Sequence, residues 1–269
     1  MTAPEEKKKP HVSPSQVGRY CQCGESYRRR YILGEKLPPG VAMVRGTAIH
    51  KGAEFNFKQK LKTREDLPEA QIVDKAVSTF EEKIKHEGLM LSEDELARGE
   101  KVIVAEGKDE VAGLAKVLHS GVFPRYQPKL IEEEQRIELP AASHDLMGII
   151  DLIDDKETIV DFKTSGKTKS QEDVDGDGQF TFYGLLYKAK FKKECAGISI
   201  ENLVTTKTPK VVTLKTTRDN GDYQALINRV NMMLNGIKAE IFTPAPPGAW
   251  WCGPKWCGYY STCPYVKHK

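Results

Sequence analysis

The chain has 269 residues, of which 39% are hydrophobic and 29% charged, and its formal net charge is +3 at pH 7. This length allows one large domain or two small ones, and the apolar content supports a proper core and excludes disorder throughout the chain. The net charge is too small to indicate a nucleic-acid partner by itself, and no run of about 18 apolar residues is present to span a membrane.

The N-terminal residues 1–12 are polar and lack the apolar stretch of a signal peptide, which predicts a flexible tail on a cytoplasmic protein. Ser13 and Pro14 then match an N-cap followed by proline at the first helical position, so short helices begin here. Three longer helices are predicted from apolar residues at helical spacing. They span 45–63, 70–86 and 93–119. Residues 13–128 are therefore predicted to be mainly helical.

From about residue 129 the pattern changes to short runs rich in Ile and Val, bounded by turn residues, which is typical of strands. The predicted strands are 129–139, 144–154, 158–165, 197–206 and 210–217. Two helices are predicted among them, at 179–191 and 222–242. This order predicts an α/β core sheet flanked by helices over 129–243. Together with a cysteine-rich tail at 244–269, the segments form a single domain from residue 13 to 269.

Polar side chains interrupt two of these strands in GIIDLIDDKETIVDFKT, residues 148–164. Such groups are costly among Ile and Val unless they are paired or bind something. Because alternate residues of a strand share a face, Asp161 and Lys163 project together, and the short turn brings Asp151 beside them. Two carboxylates next to an ammonium suit Mg²⁺ or Mn²⁺, which would polarise a phosphodiester and lower the pKa of a bound water. The alternative is a salt bridge at a sheet edge.

The GIID and DFK segments resemble the core signature of the PD-(D/E)xK nucleases, with Asp151 as the first acid and Asp161 and Lys163 as the second half. Four further matches resemble the RecB-type branch, which includes the AddB nuclease domain, the CRISPR-associated four-cysteine exonucleases and phage homologues. They are SPSQVGRYCQCGESYRRRY, RGTAIHKGAE, QFTFY and the C-terminal cysteines. The resemblance extends from about residue 13 to 264, and it implies a restriction-endonuclease-like core sheet.

This resemblance assigns roles to further residues. It implies that His50 is a metal ligand together with Asp151 and Asp161, and one imidazole among carboxylates suits Mn²⁺. Gln179 and Tyr183 lie four residues apart on one helical face, where they contact the DNA backbone or brace the lysine. The implied catalytic residues are Asp151, Asp161, Lys163, Gln179 and Tyr183.

Two acidic stretches remain outside these assignments. DVDGDG, residues 173–178, resembles the start of a calcium-binding loop, but the twelfth position is Gly184 where that loop needs a bidentate acid. We therefore predict a polar loop before the helix. One of Glu132, Glu133 and Glu134 is a candidate further acid of the site, although a run of three does not say which.

Six cysteines in a cytoplasmic chain indicate metal or thiol chemistry more than disulfides. Cys252, Cys257 and Cys263 lie close together in the tail, and a zinc or iron–sulfur site needs a fourth ligand. The resemblance implies that the ligand comes from the first helix, where the alignment of CGESY favours Cys23 and leaves Cys21 spare. It also implies a structural [4Fe–4S] cluster. Zn²⁺ is the alternative, since four residues separate the first two tail cysteines where the best-known relatives have two.

Two expectations concern the neighbouring side chains. The tail tryptophans are expected to shield the cluster from water, or simply to pack a short tail. They are Trp250, Trp251 and Trp256. The run Arg28, Arg29 and Arg30 is expected to contact DNA phosphate, with an ordinary solvated surface as the alternative.

These observations favour a DNA exonuclease that depends on Mg²⁺ or Mn²⁺ and acts on single-stranded ends, in recombination, repair or phage DNA processing. Its expected location is the cytoplasm of a bacterium or a phage-infected cell, with DNA as its partner and no membrane. The alternatives are a structure-selective endonuclease, a processor of CRISPR spacer precursors, and a non-catalytic DNA-binding module with an architectural cluster. The intact Asp151, Asp161 and Lys163 argue against the last of these.

Overall fold

A mixed sheet of six strands runs through the described part of the chain, residues 9–138 and 143–267 of the computed structural model. The strands are β1 (His11–Val12), β2 (Pro128–Ile137), β3 (Asp145–Asp154), β4 (Thr158–Ser165), β5 (Gly197–Val204) and β6 (Lys210–Thr216). β3 pairs antiparallel with β2 and β4 and parallel with β1, while β5 pairs parallel with β4 and antiparallel with β6. The five predicted strands are confirmed.

Strands β3 and β4 separate soon after the turn that joins them. They pair at Leu152 with Val160 and at Ile153 with Ile159, after which β4 follows β5 along its whole length. At its other end the same edge of β3 pairs with β1, because β2 occupies the opposite edge throughout. Among the described strands, none pairs with this edge between Met147 and Asp151. We call residues 147–151 on that edge the β3 opening.

Helices cover both faces of the sheet, which gives three layers and confirms the predicted α/β sheet flanked by helices. They are α1 (Pro14–Gln22), α2 (Gly24–Tyr27), α3 (Val41–Thr63), α4 (Glu69–Glu87), α5 (Glu93–Arg98), α6 (Glu100–Gly121), α7 (Gln171–Asp175), α8 (Gly178–Phe191) and α9 (Asn220–Lys238). In the described ranges, no helix combines the length and the apolar composition that crossing a bilayer requires.

The two faces of the sheet have separate apolar cores. On one face α3, α4 and α6 pack with Phe57 and Phe80 against Val160 and Phe162 of β4. On the other face α1, α8 and α9 pack against Ile159 of β4 and against β3 and β5. Alternate residues of β4 therefore enter different cores, and its polar residues face the side of α8.

The elements differ from the sequence prediction in four places. Residues 1–8 of the expected N-terminal tail lie outside the described residues, but His11 and Val12 form β1, because Val12 is buried against the sheet. The helix predicted over 93–119 is two helices, since Gly99 adopts φ +90° between them. The helix predicted over 222–242 is α9, which ends at Lys238. The predicted polar loop at 173–178 contains the final turn of α7, which Ser170 caps.

Candidate active site

The polar residues of β3 and β4 meet where the two strands separate. Asp151 Oδ2 accepts a hydrogen bond from the backbone N–H of Phe162 at 3.0 Å, which joins the strands beside Asp161. Asp161 is fully buried, and Lys163 Nζ lies 3.0 Å from its Oδ1 and 2.8 Å from its Oδ2. The predicted proximity of Asp151, Asp161 and Lys163 is thus observed. A salt bridge is present as well, but it does not account for Asp151.

A group of metal-ligating side chains forms around Asp151. One ligand atom each from His50, Glu132 and Asp151 lies within 4.8 Å of the others. His50 Nδ1 is 3.2 Å from Asp151 Oδ2, and its ring meets the Phe162 ring edge-on, with centroids 6.2 Å apart. Helix α3 aims His50 at the strands because Ile49 and Ala53, on its adjoining face, are buried in the core. His50 and Asp151 are ligands that the sequence predicts, and Glu132 is one of its three candidate acids.

Glu132 is the acid that the sequence analysis left unassigned within the run of three. It lies between Ile131 and Glu133, which pair with Leu152 and Ile150 of β3, so it is beside the Asp151 segment of that strand. Its φ is +48°, a left-handed backbone that a non-glycine residue rarely adopts within a strand. Such strain occurs where the surrounding structure needs a side chain in one place. Glu133 instead pairs with Lys190, and Glu134 is exposed.

The charges of this group depend on one another. Burial alone would lower the pKa of His50, but the carboxylate of Asp151 and its hydrogen bond raise it to about 9. Burial raises the pKa of Glu132 to about 7, and the nearby Asp151 charge adds to that rise. Burial would also raise the pKa of Asp151, yet the charge of His50 keeps it lowered. At neutral pH His50 therefore carries a proton, which a cation must displace to bind here.

A chain of hydrogen bonds connects the lysine of β4 to helix α8. Lys163 Nζ donates to Gln179 Oε1 at 2.9 Å, and Gln179 Nε2 donates to Tyr183 Oη at 2.6 Å. Burial raises the pKa of Tyr183 well above its ordinary value, and the charge of Asp161 raises it further. Gln179 contacts the lysine directly and Tyr183 contacts Gln179, while the roles expected for these two residues stay predictions.

The first turn of α8 is fixed in place so that Gln179 reaches the lysine. Asp177 caps the helix by accepting the backbone N–H of Gln179 at 2.9 Å. Arg218 donates from Nε to Thr181 Oγ1 at 2.8 Å and from Nη2 to the carbonyl oxygens of Val174 and Asp177. The Arg218 guanidinium thus joins α7, α8 and the loop between them, which keeps Gln179 within hydrogen-bonding distance of Lys163 on β4.

The donor set fits a hard divalent cation. Oxygen ligands are what Mg²⁺ prefers, and Mn²⁺ also accepts an imidazole nitrogen. Asp161 adds a second observation, because its buried Oδ2 receives no hydrogen bond of normal geometry from the described residues, although the lysine is near. A buried carboxylate oxygen in that condition needs a partner. The predicted ligand Asp161 therefore lies beside the group of His50, Glu132 and Asp151, and its carboxylate is paired with Lys163.

A model of the PD-(D/E)XK nuclease superfamily matches residues 11–264. The chain belongs to the PD-(D/E)XK nuclease superfamily. Nucleases of this superfamily use divalent metals, which agrees with the His, Glu and Asp group at the β3 opening. Among curated proteins, none matches the chain.

Seven chains among the solved structures match this superfamily member. One is a candidate exonuclease from Eubacterium rectale, with 13% identity, a TM-score of 0.58, and coverage of 100% of this chain and 96% of that chain. Another, a protein named SSO0001, has 15% identity, a TM-score of 0.43, and coverage of 97% and 89%. At 13% identity the first likeness shows a common fold.

The four cysteines named for a cluster line one cavity of about 570 Å³ in this nuclease fold. They are Cys23, Cys252, Cys257 and Cys263. Cys23 lies between α1 and α2, and its thiol caps α2 by accepting the N–H of Ser26 at 3.4 Å. Burial raises the pKa of the Cys257 thiol, and the other three cysteines raise it further. Cys21 is exposed and lines a different groove.

The cysteine-rich tail is attached to the first helices by contacts of its own. The N–H of Gly24 donates to the carbonyl of Thr243 at 2.7 Å, and a Cβ on Gly24 would lie 2.7 Å from Thr243 N, so only glycine fits there. Tyr20 Oη donates to the carbonyl of Ile241 at 2.6 Å. These bonds hold the tail to α1 and α2 whether or not a metal occupies the cysteines.

Two of the three neighbouring tryptophans are largely exposed. Trp250 and Trp256 are 70% and 60% exposed, and their rings meet edge-on with centroids 5.5 Å apart. Trp250 also lines the cavity of the four cysteines, so the expectation that the tryptophans shield these thiols from water stays a prediction. Trp251 is partly buried, with its ring against Trp250.

The three arginines have different surroundings, which a run of letters could not reveal. They lie in a π-helical turn, Arg28–Ile32, so their side chains point in different directions. Arg28 pairs with Glu25 at 3.2 Å. Arg29 pairs with Glu35 at 2.6 Å, donates to the carbonyl of Tyr259 and covers its ring, so it binds the tail. Arg30 lies over the Tyr31 ring and lines a surface groove.

Proposed function

We propose that this chain is a deoxyribonuclease of the RecB-like branch that depends on Mg²⁺ or Mn²⁺ and removes nucleotides from single-stranded ends. The observation that carries the proposal is the meeting of His50, Glu132 and Asp151 with a braced lysine where β3 and β4 separate. The superfamily supports phosphodiester hydrolysis, and the exonuclease description of the Eubacterium rectale structure favours action at ends.

His50, Glu132 and Asp151 would hold the cation, with Asp161 beside them. When bound, a divalent cation supplies a Lewis acid that polarises the phosphodiester and lowers the pKa of a water. The protein's own part is to keep these ligands at one end of a rigid sheet. The bond from Phe162 N–H to Asp151 fixes one carboxylate, and the ion pair with Lys163 fixes Asp161.

Lys163 acts as a proton-bearing donor in this scheme. Burial would lower its pKa, but the carboxylates of Asp161 and Asp151 outweigh that effect and raise it, so the ammonium remains charged at neutral pH. Of its three N–H groups, one is given to Asp161 and one to Gln179. The third is available to orient the attacking water or to neutralise charge on the phosphoryl oxygens.

The cysteine site is proposed to hold a structural [4Fe–4S] cluster, with Zn²⁺ as the alternative. Its support is the cavity that all four thiols line and the attachment of the tail to α1 and α2. Phosphodiester hydrolysis transfers no electrons, so the cluster would serve to join Cys23 to the tail cysteines, more than two hundred residues away.

The decisive experiment digests end-labelled linear single strands, linear duplexes and circular single strands with Mg²⁺, Mn²⁺ or chelator. We expect degradation of linear single strands with either cation, none with chelator, and intact circles. Asp161→Asn should lose the activity and keep the fold by circular dichroism. Nicked circles would instead indicate the endonuclease, and full activity of Asp161→Asn would refute the site.

A further inference from the structure

Two surface grooves meet over one face of helix α1. The first groove, about 720 Å³, contains Gln179 and Tyr183 of the catalytic site together with Met147 and Ile149 of the β3 opening. The second groove, about 490 Å³, reaches the tail at Trp256. Three residues of α1 line both grooves. They are Ser15, Gly18 and Gln22. At this spacing they share one helical face, so the two grooves form a continuous path from the catalytic site to the tail.

Gly18 is the residue of this path that the fold does not explain. It lies in the middle of α1, where glycine costs about 1 kcal/mol relative to alanine. A Cβ at this position would have no atom within 4 Å among its surroundings, so neither close packing nor an unusual backbone requires glycine. What glycine does provide is an open space over the helix, at the place where the two grooves join.

The far end of the path presents an aromatic face with cations. Trp256 is 60% exposed, and Lys255 Nζ lies over its ring at 5.6 Å. Exposed aromatic rings bind unpaired nucleobases by stacking, which a protein in the nuclease superfamily would use for single strands but not for duplexes. The exposed Ile149 adds apolar surface at the catalytic end.

Charged groups of both signs line the path, and its guanidinium groups are suited to contact phosphate. Three guanidinium groups and three carboxylates line it, and each carboxylate already accepts a hydrogen bond within the protein. The arginines are Arg19, Arg30 and Arg229. Glu87 pairs with Lys83 at 2.6 Å, Asp173 accepts the N–H of Ser170, and Asp177 accepts the N–H of Gln179.

We propose that a single strand of nucleic acid lies along this path, from the catalytic site over Gly18 to a base stacked on Trp256. This inference rests on the proposed nuclease function for its catalytic end. It adds the route of the substrate and two residues that position it. Neither residue takes part in the chemistry, so both affect long substrates and leave the reaction at the metal site unchanged.

The test measures binding of a fluorescent 20-nucleotide single strand by anisotropy in chelator, and hydrolysis of that strand and of bis(p-nitrophenyl) phosphate with Mn²⁺. Trp256→Ala should weaken strand binding about 5- to 150-fold, the range for one lost base stack. Tyr265→Ala is the matched control, because Tyr265 is equally exposed but outside both grooves, and it should bind like the wild type. Neither change should alter turnover of the small diester.

A second pair of variants tests the path over α1. Gly18→Leu should raise the KM for the strand about tenfold and leave the melting temperature equal or higher, since leucine favours the helix. Gly18→Ala should also raise the melting temperature. It should raise the KM for the strand much less than Gly18→Leu, because a methyl group obstructs the path less than a leucine side chain. Wild-type strand binding by both Trp256→Ala and Gly18→Leu would overturn the path, as would equal losses with a duplex. Failure of the wild type to hydrolyse either substrate would count against the nuclease function alone, because binding is measured in chelator.

Discussion

Lys163 Nζ donates a hydrogen bond to Gln179 Oε1 over 2.9 Å, and this bond joins strand β4 to helix α8 across the candidate site. A hydrogen bond to a charged group contributes about 1.5–3 kcal/mol, which corresponds to roughly 10- to 150-fold in rate. Gln179→Ala should therefore lower kcat by about that factor with little change in metal affinity. Steady-state kinetics would measure it, with the exposed Gln224→Ala as control. An unchanged kcat would mean that the bond does not position the lysine.

The second prediction separates the three consecutive glutamates of β2. Glu132→Gln should weaken Mn²⁺ binding about tenfold or more. Even the loss of a residue that only hydrogen-bonds to a metal ligand lowers metal affinity by at least about that factor. Glu134→Gln should have no such effect, because its side chain is exposed. Isothermal titration with Mn²⁺ distinguishes the two. Equal affinities for both variants would remove Glu132 from the site.

The third prediction concerns the pH dependence of stability in chelator. The pKa of His50 is raised from 6.5 to about 9 in the folded protein, so its contribution is complete below pH 6.5 and lost as pH rises through 9. The pKa of Glu132 is raised from 4.5 to about 7, so its contribution is also lost with rising pH, through 7. Urea unfolding should thus show falling stability between pH 6.5 and 9.

His50→Asn identifies the source of that slope. The variant should flatten the upper part of the stability profile, between pH 7 and 9, whereas the exposed His86→Asn should keep the wild-type slope. Saturating Mn²⁺ should abolish this fall in the wild type, because the metal-bound imidazole is neutral, as it also is in the unfolded chain above pH 6.5. A slope that survives His50→Asn would place its origin elsewhere in the protein.

The fourth prediction tests the cysteine site. Anaerobically purified protein should be brown, with iron and sulfide near four each per chain. Cys23→Ser should lose the cofactor and destabilise α1 together with the tail, by on the order of 4–5 kcal/mol in the chain-entropy description of long cross-links. Cys21→Ser should keep both, because its side chain lines a different groove. Colourless protein with one zinc per chain would replace the cluster with Zn²⁺ at the same site.

The fifth prediction assigns different roles to two adjacent arginines. Arg29→Gln should destabilise the tail by on the order of 1 kcal/mol, because it removes bonds to Glu35 and Tyr259. Arg30→Gln should leave stability unchanged and reduce the salt dependence of strand binding by roughly 0.7 in slope for one lost phosphate contact. Thermal melting and anisotropy at several salt concentrations would separate the two effects. The opposite assignment would follow if Arg29→Gln changed the slope alone.

The sequence was informative where the pattern and the geometry are both local. Asp161 and Lys163 share a strand face by simple alternation, and a short turn brings Asp151 to them, so their meeting was predictable. Gln179 and Tyr183 followed from helical spacing in the same way. The sheet and its flanking helices were predictable for the same reason, because each element carries its own periodicity.

What the sequence could not provide depends on contacts between distant segments. The role of Glu132 depends on the register of β2 against β3 and on a left-handed backbone at one residue. Neither can be read from three consecutive glutamates. The separation of the arginine run requires the tail to be in place beside Arg29. The exposure of Trp250 and Trp256 likewise depends on how the tail lies on α1 and α2.

The hydrogen bond between Gly24 and Thr243 can form only late in the synthesis of the chain. The two residues are separated by more than two hundred positions, and a ribosome adds about 5–20 residues per second, so the partner of Gly24 emerges on the order of 10 to 40 s after it. During that interval the side of α1 and α2 that the tail will cover is exposed to other proteins. Folding of this region is therefore completed after the catalytic strands have left the ribosome. The yield of folded protein in the cell should depend on whether α1 is protected from contacts with other proteins during that interval.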